Sequence, residues 1–367
     1  MIRSFACAAL AAGVLLASAP RAGADPVADF YRGKHITFLI SGPAGSGYDA
    51  YARLLARNLP QHIPGKPTIV PQNMPAAGGM VLLNTAYNSG PRDGTLIFTM
   101  HFNLPLYQAM GGRGVHYDAG KLIGLGRLLA SNAVIGVSAK SKSGVKTLED
   151  AKKHEAVIGA TGAASNSTLY PMIMNNLIGT KFKVVIGYEG EDGVFLAMER
   201  GETDGFGSYS YLTFKSVHPD YITKKLFYPL VQWGEKREAE WSDVPTAIDV
   251  ATTPIDKRAM ELASSGPAIG FSYFMPPDVP KDRVAALRKA FGDMLKDPAF
   301  HKDAERAKMF LRPAGGEEVE AIVRDVVSAP KEVIARLTQL MVENGGVRCQ
   351  DYTKADFCSK PKAKKKS

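Results

Sequence analysis

Cysteine is scarce in this chain, at three in 367 residues, and its placement excludes most of the chemistry cysteine carries. Cys7 lies inside an apolar run near the N-terminus with no lipobox ahead of it, which argues against a lipid anchor. Cys349 and Cys358 have eight residues between them, a spacing without redox or zinc signature. In an oxidising compartment they either close a disulfide, worth about 2–3 kcal/mol on chain-entropy grounds, or remain free thiols. Neither form is catalytic. Long apolar runs are missing too: beyond the N-terminus nothing approaches the roughly 18 uninterrupted residues of a membrane span. No G-x-S-x-G elbow, H-E-x-x-H, C-x-x-C or DxD-type metal cluster occurs, and the seven histidines are scattered. No metal, cofactor or catalytic residue is expected.

What is present begins with an export signal. Arg3 supplies a charged end, Phe5 to Ala17 an apolar stretch and Ala22-Gly23-Ala24 a cleavage site, so residues 1–24 read as a signal peptide and the mature chain starts at Asp25 in the periplasm. Losing Arg3 and Arg21 takes the net charge from +9 to +7. Part of that charge sits in the tail Lys360 to Lys366, which reads as a solvated end because it lacks the aromatic interleaving of a nucleic-acid arm. The remaining length suffices for two lobes with real cores.

The chain is organised around Ile36 to Leu59. An apolar β-branched run, Ile36 to Ile40, passes through the loop Ser41-Gly42-Pro43-Ala44-Gly45-Ser46-Gly47-Tyr48 into a helix whose Ala52, Leu55, Ala56 and Leu59 share one face. Asp49 suits the first turn, where a carboxylate meets unpaired N–H groups, and Pro60 ends the helix. Strand, glycine loop and helix start in this order gather backbone N–H groups at one point, an anion-binding geometry. The pattern is not G-x-G-x-x-G and no Lys-Ser/Thr follows, so a nucleotide is disfavoured; a plain tight turn is the other reading.

Similar units follow. A short β-type run, Thr68 to Gln72, leads through Asn73 to Gly79, with Ala77, Gly78 and Gly79 at its end, into a helix from Met80. The strand Thr95 to Met100 ends in His101-Phe102-Asn103, and His101 is read as a packing or hydrogen-bonding residue at the cleft. From about Lys121 the pattern restarts: a strand over Ala133 to Val137, a capping box at Thr147 to Asp150, a strand over Ala156 to Ala160. The loop Thr161-Gly162-Ala163-Ala164-Ser165-Asn166-Ser167-Thr168 then mirrors the first one with hydroxyls for glycines, ahead of a helix Leu169 to Ile178. A strand over Phe182 to Tyr188 precedes Glu189-Gly190-Glu191-Asp192-Gly193, read as an acidic rim, then a helix Val194 to Arg200. Glu202 to Gly205, with Asp204 as a candidate ligand contact, leads into another strand, and Lys225 to Trp233 reads as one more. The stripes from Val284 to Leu340 are core helices. Alternating strands and helices argue for mixed, mostly parallel α/β sheets in two lobes around a cleft.

At this point the residues resemble a known family. FYRGKHITFLISGPAGSGYDAYARLLARNL, PTIVPQNMPAAGG, PRDGTL, GATGAASNST, TKFKVVIGYEGEDGVFLAMERGETDG, DVPT and PPDVPKDRVAALRKAFGDMLKDPAF are similar, in order, to the extracytoplasmic receptors of tripartite tricarboxylate transporters, the Bug family. The resemblance implies a type II periplasmic binding fold whose lobes close on a small carboxylate. It implies ligand contacts from Ser41 to Asp49, from Pro75 to Gly79, at Met100 to Asn103, at Thr161 to Thr168 and at Tyr188 to Gly190. The chain departs from the pattern at Ser46 and at Glu191, where many relatives have glycine, and a carboxylate at 191 would repel an anion if it faced the cleft. The implied organisation is a first lobe over 25–127, a second over 128–235, a crossover and return over 236–345 and a tail from 346. The function expected is a monomeric receptor delivering an organic acid to permease subunits. The alternatives are a secreted hydrolase or lyase using His101 or Asp49 as base, and a binding protein that signals to a sensor.

Overall fold

The computed structural model describes residues 25–161, 165–188 and 190–342. The expected signal peptide, Gly162, Ala163, Glu189, Cys349, Cys358 and the lysine tail lie outside them. Among the described residues eleven strands form two sheets. They are β1 His35–Ile40, β2 Thr68–Asn73, β3 Leu96–Thr99, β4 Ile123–Leu129, β5 Ala133–Ser138, β6 Ala156–Ala160, β7 Phe182–Ile186, β8 Gly205–Ser210, β9 Phe227–Trp233, β10 Phe271–Met275 and β11 Ala314–Gly315.

The first sheet has the order β11-β4-β10-β3-β1-β2 and the second β7-β6-β8-β5-β9. Each is mixed, parallel on one side and antiparallel on the other. β1 pairs in parallel with β2, Ile36 opposite Ile69, and with β3, Phe38 opposite Ile97; β6 pairs in parallel with β7 and β8. Parallel neighbours end at the same edge, so β1, β2 and β3 release their loops side by side, as do β6, β7 and β8. β10 runs antiparallel to β3, and β4 antiparallel to β10, on the other side of the first sheet, while β5 and β9 close the second.

Local sequence explains the elements. Ile36, Phe38 and Ile40 of β1 are fully buried, each contributing about 1.5–3 kcal/mol of transfer free energy. The helix Gly47–Asn58 buries Tyr51, Ala52, Leu54 and Leu55, with Leu59 just beyond, and turns Arg53 and Arg57 away from the core. Its start is fixed by Ser46, whose hydroxyl accepts from Asp49 N, a normal N-cap arrangement. The Thr147 capping box forms as its residues predict, Thr147 and Asp150 exchanging bonds. Two helices begin earlier than periodicity alone suggests, at Asn166 and at Gly190.

The chain passes between the sheets at residues 130–132 and again at 234–270, the latter carrying the helix Pro254–Ile269. The helix Gly316–Val327 packs on β4 of the first sheet. The last described helix, Lys331–Val342, lies instead against Asn166–Ile178 and Pro254–Ile269, because Leu337, Leu340 and Met341 join the cluster of Ile173 and Met174. Asn176 Nδ2 fastens it by donating to Leu340 O at 2.6 Å.

Candidate functional site

The first glycine loop is held from beneath. Thr99, at the end of β3, accepts from Ser41 N at 2.7 Å and bonds the Ser41 hydroxyl at 2.9 Å, so Ser41 is buried and its side chain is committed to the core. Asp49 is likewise engaged. One carboxylate oxygen accepts from Gly45 N at 2.9 Å, the other from Arg53 Nε at 2.8 Å and Asn73 Nδ2 at 2.9 Å, and Asn73 Nδ2 also donates to Gly42 O at 2.9 Å. Desolvation raises the Asp49 pKa, but the bonds from Arg53, Gly45 and Asn73 outweigh it and hold the carboxyl below its ordinary value. Asp49 therefore braces the loop through lobe-internal bonds, which corrects its expected role as a ligand contact. Pro43, Ala44, Gly45 and Gly47 remain exposed, with Ser46 half-buried. The N–H groups of Ala44, Gly47 and Tyr48 have no acceptor among the described residues, leaving three backbone donors at a helix start.

The loop after β2 converges on the same point. Ala77, Gly78 and Gly79 take left-handed conformations in succession, at φ 50°, 63° and 84°, a costly run for which glycine is the natural occupant. A Cβ on Gly79 would lie 2.8 Å from Ser41 Cβ and 3.5 Å from His101 Cβ, so the three strand-end loops touch there. His101 stacks between Tyr48, ring centroids 5.4 Å apart, and Phe102, at 4.8 Å. Surrounding protein pushes its imidazole down to about 4 by desolvation, although its surface still meets solvent. A group that is desolvated yet reachable lines the wall of a concavity. Tyr48 OH accepts from Phe102 N at 3.1 Å, which leaves its own hydrogen free to donate.

In the second lobe the hydroxyl loop is also built from within. Ser167 Oγ accepts from Thr161 N at 3.0 Å, and lies 3.2 Å from Thr161 Oγ1 and 2.7 Å from Ser165 Oγ. Ser167 and Thr168 are buried and open the helix Asn166–Ile178, where Thr168 N and Leu169 N both donate to Ser165 O, at 3.0 and 2.9 Å. Asn166 Nδ2 donates to Tyr170 OH at 2.9 Å. Gly187 N and Tyr188 N both donate to Ala160 O, at 3.1 and 3.3 Å, which sets Tyr188 and Gly190 beside this loop. Asp204 does not belong here. It accepts from Ser141 Oγ at 2.5 Å and Val157 N at 2.7 Å, at the amino end of β8, whereas the cleft loops leave carboxyl ends; its carboxylate stabilises a turn on the far side of the sheet.

The lobes meet through residues that periodicity did not single out. Gly266, on the helix between the sheets, abuts the first lobe: a Cβ there would lie 2.8 Å from Phe102 and 3.4 Å from Asn103 Oδ1. On the same helix, Ala263 O accepts from Tyr170 OH at 3.4 Å. Within the first lobe, Phe271 of β10 packs edge-on to Tyr48 and stacks on Tyr51, ring centroids 4.8 Å apart in both cases; a Cβ on Gly47 would lie 2.8 Å from its ring. Glu191 stands at the start of the second-lobe helix Gly190–Glu199 with its side chain exposed. A composition signal existed for these sites, a glycine or aromatic beside each turn, but no spacing rule assigns it.

Among the described residues no group of three His, Cys, Asp or Glu could hold a metal ion. A cavity of about 510 Å³ lies elsewhere, between Glu235, Arg258, Glu261, Ile322, Asp325 and Val333, away from the strand ends.

The chain is 23% identical over 337 residues to a UPF0065 protein from the gbd 5′ region of Cupriavidus necator, covering 90% of this chain and 94% of that one. No family profile matches it. A TctC solute-binding protein from Polaromonas superposes with a TM-score of 0.61 at 21% identity, over 84% of this chain and 100% of that one. MatC from Rhodopseudomonas palustris, solved with bound malate, superposes with a TM-score of 0.58 at 16% identity, over 82% and 99%. With two mixed sheets, carboxyl-end loops in each and a double passage between them, the chain has the two-lobe fold of the TctC-type periplasmic solute-binding proteins.

Proposed function

We propose that the chain is an extracytoplasmic receptor that captures a small organic acid between its lobes and presents it to the permease subunits of a tripartite tricarboxylate-type transporter. The observation that carries this reading is the unpaired backbone donors of Ala44, Gly47 and Tyr48 at a helix start, in a cleft whose other wall starts the helix at Asn166. Such donors neutralise a carboxylate without a fixed cation and so permit release. The similarity to a malate-bound protein supports the ligand class. The ligand touches both lobes only when they close, so its binding shifts the open-closed equilibrium and the permease reads the closed form. Ligand contacts are assigned to Pro43 to Tyr48, Ala77 to Gly79, His101, Asn103, Thr161, Ser165 to Thr168, Tyr188 and Gly190. The lobes span 25–127 and 128–235 with a return over 236–345, and the protein works as a periplasmic monomer.

Catalysis is not part of this function. His101 is a weak base by desolvation and has no carboxylate partner among the described residues, and Asp49 is tied to Arg53; a proton-abstracting site needs a base matched to its task. A panel of small carboxylates screened by thermal shift tests the reading. A true ligand at a hundred times its dissociation constant adds about 2.7 kcal/mol and is recovered unchanged; turnover of a panel member would establish an enzyme instead.

A further inference from the structure

The strand registers of the second sheet bring four lysine-bearing turns to one edge. Ser138, at the carboxyl end of β5, pairs with Phe227, Val137 with Gly205, Gly205 with Ile158, and Ala156 with Phe182. Next to these residues stand exposed Lys140 and Lys142 after β5, Lys153 before β6, Lys181 and Lys183 at the start of β7, and Lys225 before β9. Hydrogen bonds tie the turns together: Lys181 N donates to Ala151 O at 2.7 Å, Lys181 Nζ to Lys153 O at 3.0 Å and Ala139 N to Leu226 O at 2.9 Å. Among the described residues none of these six ammonium groups has a carboxylate partner. Lys146 adds a seventh, held 6.0 Å from the centroid of the Tyr228 ring. The carboxylates of the same edge are committed elsewhere. Asp204 accepts from Ser141 Oγ and Val157 N, and Asp150 from Thr147 N and Lys146 N. Glu149 pairs with Lys152, Asp220 with Lys224 and Glu202 with Arg200. Among the described residues this leaves Glu155 as the free carboxylate there, so the pole of the second lobe is strongly basic.

We propose that this lysine pole docks on an anionic lipid bilayer and holds the receptor against the membrane surface. Two observations favour a bilayer over an acidic protein face. The uncompensated cations are all lysines, hydrated point charges suited to a diffuse field, whereas individual protein carboxylates are picked out by the planar fork of arginine. Protein interfaces also centre on apolar and aromatic anchors and are poor in lysine. Here the exposed large apolar residues, Val70, Val81, Val185, Ile186, Leu196 and Val217, all lie outside the lysine turns. Attraction to a charged surface falls off within a Debye length, about 8 Å at physiological salt, so lysines count only where they share one face. Five strands spaced about 4.8 Å apart put these within one contact area, where their attractions add. The cleft loops leave the opposite ends of β6 and β7, so a receptor standing on this pole keeps its cleft open to solvent. Docking there does not depend on which acid the cleft binds.

The test is co-sedimentation of the full mature chain with vesicles of phosphatidylcholine containing phosphatidylglycerol, against phosphatidylcholine alone. Wild type is expected to bind the anionic vesicles only and to be released at about 0.5 M salt. Lys140→Glu with Lys142→Glu, and separately Lys181→Glu with Lys183→Glu, are expected to lower the partition coefficient by about tenfold or more. Lys281→Glu with Lys302→Glu makes the same change in net charge on the helices Lys281–Met294 and Pro298–Arg306 of the first lobe, and is expected to stay within about twofold of wild type. Every variant keeps the lysine tail, and melting temperature checks its folding. Absence of wild-type binding to anionic vesicles overturns the bilayer assignment and turns the pole toward an acidic protein partner. Equal losses in pole and control pairs overturn it as well, since net charge or the tail would then be the cause. Carboxylate affinity is expected to be the same in all variants, so a failure of the receptor reading, in which no acid binds, is distinct from a failure at the vesicles.

Discussion

Desolvation holds the imidazole of His101 at a pKa of about 4, below its ordinary 6.5. The unfolded chain therefore binds the proton more readily than the folded one between these values. The His101 contribution to stability is complete above about pH 6.5 and is lost as pH falls toward 4. His101→Gln is expected to flatten this part of the stability-pH curve, read by denaturant melts across that window. Thr99 makes a cleaner structural test, because it is buried and serves Ser41 twice. Thr99→Val leaves the Ser41 N–H without its acceptor and is expected to cost about 1–3 kcal/mol and to weaken ligand affinity, measured by urea unfolding and calorimetry. Asp49 behaves as a brace: Asp49→Ala releases Gly45 N, Arg53 and Asn73 together, with an expected loss of about 1–3 kcal/mol. Because its folded pKa is depressed, the wild-type advantage is present at neutral pH and disappears as pH falls through that depressed value.

At the scale of elements, the second-lobe helix start is clamped by a glycine. Pro171 has no N–H for the Ser167 carbonyl, and Gly207 of β8 packs directly on that carbonyl, so that a Cβ there would overlap it. Gly207→Ala should push the first turn of the Asn166 helix off β8 and lower carboxylate affinity more than it lowers melting temperature; unaltered affinity would mean that this turn does not hold the ligand. The elements legible in sequence were those with strong local patterning. β1, the Gly47 helix, the Thr147 capping box and β6 match their expected residues within a position or two. Unread were β4, β10 and the helix Pro254–Ile269. β4 carries Gly124 and Gly126 where a strand pattern wants side chains, and the reason is tertiary: a Cβ on Gly126 would overlap Phe291 and one on Gly124 would overlap the Gly316 carbonyl. The unread helix carries Pro267 and Gly266 near its end, which local rules take for a loop.

For the molecule as a whole, the two passages between sheets are cross-tied. Arg312 donates to both oxygens of buried Glu238, at 2.8 and 2.7 Å. Gln232 Oε1 accepts from Glu238 N at 2.9 Å and from Asn132 Nδ2 at 3.1 Å. One network therefore joins residue 132 of the first passage, residue 238 of the second and the chain leading to β11. Arg312→Ala strands a buried carboxylate, and since the guanidinium is itself nearly half exposed the expected cost is about 1–3 kcal/mol, less than for a fully buried pair. The same change should loosen the hinge, seen as a larger radius of gyration without ligand in solution scattering. An unchanged radius would make the network a staple without a role in closure.

The sequence by itself determined the strand-loop-helix units and the sites of their turns, because glycine freedom, capping hydroxyls and apolar spacing act over a few residues. It could not tell a carboxylate aimed at a ligand from one aimed at its own loop, since Asp49, Asp204 and Glu191 differ only in what distant segments bring to them. Only the tertiary structure decided that Asp49 serves Gly45 and Asn73 and that Asp204 sits at the amino end of β8. A charge takes its role from the partners and solvent around it, and these were assembled here from residues tens to hundreds of positions apart.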